Sequence, residues 1–238
     1  MSFKNNYNKL LLLTNSNEVL FEVNEKSFIL KIPTLYDVYF DNDIMFFLNY
    51  IDKEVSEIQK FTDYYEIKNH LDFIIFTLSI KDDTKEIQEL KKTFWKTLKQ
   101  LIPGIQFDKI MTVNQIFIGP DIFNEIIRIL LESIGKDKIF IKDNDDEFTR
   151  IEKQAKIRAD NIRKKGKKEQ ENGMKIENIL AAILYEFPQY KLEDLFKMNL
   201  HSIYYLFGYV WKIANYEVNK IALGNGLLKN NKFKYFIE

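Results

Sequence analysis

The first readable pattern in the chain has a period of two. Val19, Phe21 and Val23 alternate with Leu20, Glu22 and Asn24, so the two sets fall on opposite faces of a strand. Asn24-Glu25-Lys26 can then close a hairpin onto Phe28, Leu30 and Ile32. Upstream, the apolar run Leu10 to Leu13 is followed by the turn-favouring residues Thr14-Asn15-Ser16-Asn17. A two- or three-stranded antiparallel sheet is expected, and a sheet that small needs an apolar cover.

Beyond Pro33 the period changes to that of a helix. Thr34 is placed to cap a helix beginning at Leu35. Ile44, Phe47, Leu48 and Ile51 recur at offsets of three and four, and Leu71, Ile74, Ile75 and Leu78 repeat the pattern. Between Thr84 and Ile102 the stripe is Ile87, Leu90, Phe94, Leu98 and Leu101, ended by Pro103-Gly104. Pro120 opens a further helix carrying Ile122, Phe123, Ile126, Ile127, Leu130 and Ile134, with Gly135 beyond its end. This half reads as mostly helical.

Near the C-terminus, Ile176, Ile179, Leu180, Ile183, Leu184 and Phe187 follow helical spacing up to Pro188. A short helix over Leu192 to Lys197 comes next. Asn199 then caps a long one carrying Leu200, Ile203, Tyr204, Phe207, Trp211, Ala214, Val218, Ile221 and Ala222, closed by Gly224-Asn225-Gly226. Some 50 residues give this segment a meagre core of its own. Its apolar face calls for cover by the first half or by another chain, self-association included.

Charge divides the chain further. The 238 residues hold 35 basic and 35 acidic side chains, which argues against a general nucleic-acid coat or polybasic membrane binder. Residues 1–140 carry 17 basic and 21 acidic groups, whereas residues 150–168 carry nine and two. The expected organisation is an N-terminal β-hairpin plus helical domain (1–140), a charged helix or linker (141–174) and a C-terminal helical segment (175–238). The fold class is α+β, mainly α: an antiparallel hairpin or meander, a helical body and a C-terminal helical hairpin. Leu10 to Leu13 is too short for a signal-peptide core and no run reaches a membrane span, so a cytoplasmic protein is expected, in the host cytoplasm if viral.

The chemical inventory is thin. There is no cysteine, and the two histidines, His70 and His201, have neither a triad nor a metal-ligand pattern around them. Asp143-Asn144-Asp145-Asp146-Glu147 resembles the start of a calcium loop, but Phe148 and Gln154 stand where glycine and a bidentate glutamate belong. Asp41 and Asp43 read as turn or cap residues. Neither GxxxxGK[ST] nor GxGxxG occurs. No enzyme, cofactor or metal is expected.

Two features point instead to partners. Arg150, Lys153, Lys156, Arg158, Arg163, Lys164 and Lys165 form a basic patch that could track phosphates, yet no aromatic residue interleaves it for base stacking. A solvated linker helix, with Glu152–Lys156 and Asp160–Lys164 at i, i+4, is the better reading, and binding of nucleic acid the lesser. The stripe of Tyr204, Phe207 and Trp211, with Leu180 and Leu184 on the facing helix, reads either as core or as a protein-binding face.

In outline the whole chain resembles the tail assembly chaperones of long-tailed phages of Gram-positive bacteria. The residues that carry the resemblance are Phe28 to Leu35 (Phe-Ile-Leu-Lys-Ile-Pro-Thr-Leu) and Lys191 to Gly224. The latter holds a short acidic helix, Leu192-Glu193-Asp194-Leu195, then Met198 and a long helix with Tyr216-Glu217. The resemblance implies a non-enzymatic protein that binds the helical tape-measure protein, or another tail component, until tube subunits surround it. It also implies a short and a long product made by ribosomal slippage, for which Lys164-Lys165 is the candidate position. The competing expectations are a structural virion protein of tail, connector or baseplate, and a nucleic-acid-binding regulator using residues 150–168.

Overall fold

The computed structural model describes residues 3–7, 17–59, 66–81, 84–136 and 175–224. Leu10 to Leu13, the acidic run at 143–147 and the whole basic patch from Arg150 to Lys165 lie outside the described residues. Within them the chain is α+β and mainly helical, with an N-terminal antiparallel meander, a helical body and C-terminal helices.

The meander is β1 (Lys4–Asn5), β2 (Glu18–Val23) and β3 (Lys26–Lys31), in that spatial order. Opposed residues of an antiparallel pair share a face, and the register sets Val19 against Leu30 and Phe21 against Phe28. Those four are buried and the intervening positions are turned outward. The rings of Phe21 and Phe28 stack at 4.8 Å. One buried face thus fixes the strand register.

The cover comes from helices α1 (Leu35–Phe40), α2 (Asn42–Asp52), α3 (Val55–Gln59), α4 (His70–Ser79), α5 (Lys85–Leu101) and α6 (Pro120–Ser133). Thr34 caps α1 in a reciprocal box: the Asp37 amide donates to its hydroxyl at 3.2 Å, and its own amide donates to the Asp37 carboxylate at 2.8 Å. Asp41 has extended dihedrals that end α1, and its carboxylate accepts from the Asp43 and Ile44 amides to start α2. The predicted face Ile44, Phe47, Leu48 and Ile51 is buried, and so are Phe94, Leu98 and Leu101 of α5.

The stretch between α5 and α6 corrects the sequence reading. Instead of a simple break it forms a second antiparallel sheet: β4 (Ile105–Asp108), β5 (Ile110–Val113) and β6 (Ile116–Phe117). Ile105 and Val113 face each other and are buried, with Met111 and Ile116 on the same inner side. The two sheets touch through their turns, where Lys26 Nζ donates to Gln115 Oε1 at 2.8 Å and Asn114 Nδ2 to the Ser27 carbonyl at 2.9 Å.

The C-terminal helices are α7 (Ile176–Glu186), α8 (Leu192–Phe196) and α9 (Leu200–Gly224). Asn199 caps α9 by accepting from the Ser202 amide at 3.0 Å. Leu195, Met198, Leu200 and Ile203 belong to the same continuous core as the N-terminal sheet and helices. The Leu35 amide donates to the Met198 carbonyl at 2.6 Å, and Asn17 Nδ2 to the Lys197 carbonyl at 2.9 Å. The apolar face that the sequence left uncovered is therefore shared with the first half.

Candidate partner-binding face

Among the described residues, several titratable groups are engaged in structural contacts. On α6, Arg128 donates to both Glu125 oxygens at 2.6 and 2.9 Å and to Glu132 Oε1 at 2.8 Å. Asn5 Nδ2 donates to Glu125 at 3.0 Å, and the Tyr7 hydroxyl donates to Glu132. The Tyr7 ring also lies under the guanidinium, 5.0 Å from its centre. The Glu125 hydrogen bonds, outweighing burial, push Arg128 further above its ordinary range. This cluster staples β1 to α6.

His70 is buried, with Nε2 2.8 Å from the Lys53 carbonyl, and His201 is half-buried on α9. Asp43 accepts from Lys96 Nζ at 2.5 Å and from the Thr93 hydroxyl at 3.2 Å. The hydrogen bond from Lys96 holds its carboxyl below the usual range and raises Lys96 in turn. Among the described residues no group of three or more His, Asp or Glu side chains could hold a metal ion.

What the surface offers instead is aromatic area. Helix α1 turns Leu35 and Val38 inward, which leaves Tyr36, Tyr39 and Phe40 exposed on the other side. Phe40 lies 5.8 Å and Tyr36 6.5 Å from the ring of Phe196 on α8, and Tyr36 and Phe40 lie 4.9 Å apart. Burial, then the neighbouring Tyr204 and Glu177, raise the Tyr39 hydroxyl, which ties this patch to α7 and α9. Tyr205 and Tyr209 add a second aromatic pair, with hydroxyls 3.0 Å apart and Lys212 over the Tyr209 ring at 5.2 Å.

Helix α9 extends the apolar area outward. Its side chains pack on the core only as far as Val210. Tyr204, Trp211, Ala214, Val218 and Ile221 follow offsets of seven, three, four and three, and all are exposed. Trp211 is 57% exposed, Val218 63% and Ile221 61%. That is a coiled-coil-like seam without a charged residue in it. Gly208, on the next row, has nothing within 4 Å of where a Cβ would stand, so another backbone can approach there.

The chain matches no known protein family, no curated protein and no solved structure.

The structure divides the residues singled out from sequence. Leu180 is buried, and Leu184 and Phe207 are half-buried against the core, so these three serve the packing of α7 and α9 onto the body. Tyr204 and Trp211 are exposed on α9. Tyr36, Tyr39, Phe40, Val218 and Ile221 complete the apolar surface and were not singled out. The available signal was that α1 has six residues, of which five are apolar or aromatic, more than one buried face can use. Among the described residues no helix is long and apolar enough to cross a membrane.

Proposed function

We propose that this protein is a non-enzymatic assembly chaperone that holds an amphipathic helical client, in the manner of the phage tail chaperones that bind a tape-measure protein. The supporting observation is the outward row of α9: Trp211, Ala214, Val218 and Ile221 are exposed at coiled-coil spacing on a helix whose inner turns are fixed in the core. Together with Tyr204 these residues would contribute about 500 Å² of apolar contact, short of the roughly 800 Å² per partner in a stable complex. Such a contact grips one segment of a client weakly and is released when tube subunits compete for it. The aromatic patch of Tyr36, Phe40 and Phe196 supplies a second grip.

Co-expression with a phage tape-measure protein tests the reading. The client should stay soluble with the wild-type chain and aggregate with the double variant Trp211→Glu, Val218→Glu, whose own fold is unchanged. Equal aggregation with and without the wild-type chain overturns the proposal. Abundance of the chain in purified particles, by mass spectrometry, would make it a structural subunit instead.

A further inference from the structure

Helix α5 turns Phe94, Leu98 and Leu101 into the core and carries five lysines elsewhere on its surface. Trp95 stands half-buried beside the core row, and Lys91, Lys92 and Lys99 are its neighbours one turn away on the helix surface. With Leu78 of α4 and Phe107 of β4, the side chains of Lys91, Lys92 and Trp95 line an open hollow of about 350 Å³. The rings of Trp95 and Phe107 lie 6.4 Å apart at 58°. The Lys99 ammonium lies over the Trp95 ring, 4.9 Å from its centre, which sets a positive charge beside the hollow.

Four of these lysines differ in what they hold. Lys96 is paired with Asp43 at 2.5 Å, and Lys91 donates to the Ile80 carbonyl. Lys92 and Lys99 are exposed and make no ion pair among the described residues. Asp43, whose carboxyl Lys92 helps to hold down from a distance, is already bonded to Lys96. Glu86 and Glu89, the acidic residues of α5, stand about a third to half a turn round the helix from Trp95. No acidic residue lines the hollow. Two cations without a bonded carboxylate thus flank one apolar hollow.

We propose that this face docks an acidic helical segment of another protein. One large apolar side chain enters the hollow beside Trp95 and Phe107, and a carboxylate on either side of it meets Lys92 and Lys99. Those lysines are seven residues apart, about 10 Å along the axis of α5. A partner helix lying along α5 matches that spacing with acidic residues seven apart and an apolar one between them. About 150 Å³ holds a benzene ring, so the hollow takes one or two side chains and serves as an anchor pocket. Complementary charge then sets which partner is accepted. A nucleic acid fits less well. A stacked base needs the Trp95 face that the Lys99 ammonium covers, and two free lysines neutralise few phosphates. The face shares no residue with the α9 seam or the Tyr36–Phe40 patch, so the proposal stands apart from the chaperone reading.

Fluorescence anisotropy with the full chain tests it. The probe is a labelled, alanine-based helical peptide of roughly 16 residues, with Glu, Leu and Glu at its fifth, eighth and twelfth positions. In low salt this peptide should bind saturably, roughly tenfold more tightly than a version with lysine for both glutamates or alanine for the leucine. The double variant Lys92→Glu, Lys99→Glu should invert the charge preference, and Trp95→Ala should remove the dependence on leucine. Should Trp95→Ala fail to fold by circular dichroism, the exposed charge-reversal variant decides alone. Absence of saturable binding, equal affinity for acidic and basic peptides, or an unchanged preference in the charge-reversal variant would each overturn the assignment. Tighter binding of oligothymidylate than of the acidic peptide would overturn it in favour of a nucleic acid.

Discussion

The backbone amide of Leu35 is bonded to the backbone carbonyl of Met198 at 2.6 Å, joining the first turn of α1 to the approach to α9. Both residues are buried, and between them they bring the two ends of the helical body into one core. Ile203, fully buried beside this junction, tests whether the ends unfold together. Ile203→Ala should cost about 2–5 kcal/mol. By calorimetry it should lower a single unfolding transition rather than split off a C-terminal one.

Phe94 touches Phe46, Phe47, Tyr50 and Phe73, with ring centres between 5.0 and 6.3 Å. Its replacement by alanine removes the shared floor of α2, α4 and α5. Denaturant titration of Phe94→Ala should show a loss of about 3–5 kcal/mol. Phe46→Ala, at a half-exposed ring, should cost clearly less.

Arg128 neutralises two glutamates, and its removal leaves the Glu132 carboxylate, whose side chain is 10% exposed, without its cation. Arg128→Ala should therefore destabilise the fold by about 2 kcal/mol, less than a fully buried pair because the guanidinium is 30% exposed. Proteolysis near residue 7 should accelerate in the same variant, since Tyr7 loses both its ring contact and the group that orients Glu132.

Asp43 titrates below its ordinary value in the folded chain because it accepts from Lys96. Its bond therefore adds stability that is present above the unfolded carboxyl range and is lost as the pH falls below about 4. Lys96, raised by the same bond, adds stability below its unfolded range that is lost only at strongly alkaline pH. Stability measured against pH should decline less steeply on the acid side in Asp43→Asn than in the wild type. Identical acid limbs would deny the bond any role in solution.

Two of the hairpin turns hold two consecutive residues at positive φ: Asn24 and Glu25 at 47° and 65°, Asn114 and Gln115 at 49° and 62°. Turns of this hand favour glycine at the second position. Glu25→Gly should stabilise the chain by up to about 1 kcal/mol, read as a raised midpoint in thermal melts. Gln115→Gly should gain less, because the glutamine oxygen accepts from Lys26.

These turns also show where the sequence was legible and where it was not. The β2–β3 hairpin could be read because six-residue strands alternate strictly and bury one face. The β4–β6 sheet escaped because its strands are two to four residues long and its turns, at Lys109 and at Asn114-Gln115, lack the glycine that advertises a hairpin. Helix faces at Ile44–Ile51 and Phe94–Leu101 were plain from spacing, since burial follows the period. The proposed partner face was only half legible. Periodicity joins Tyr204, Phe207 and Trp211 in one stripe, but which members meet the core depends on how far α7 and α6 reach along α9. Exposure of Tyr36 and Phe40 likewise depends on α8 leaving them uncovered, a long-range fact that local pattern does not contain.

Helix α9 finally carries two kinds of stability in one element. Up to Val210 its turns are clamped by neighbours, whereas the fourteen residues from Trp211 to Gly224 have about the length at which an isolated helix only just holds together in water. Whatever settles on Trp211 and Ile221 thus also completes the helix beneath it. Affinity at this end is therefore set jointly by contact and by winding: each turn that frays in the free protein weakens the grip, and each helix-favouring substitution there tightens it without touching the guest.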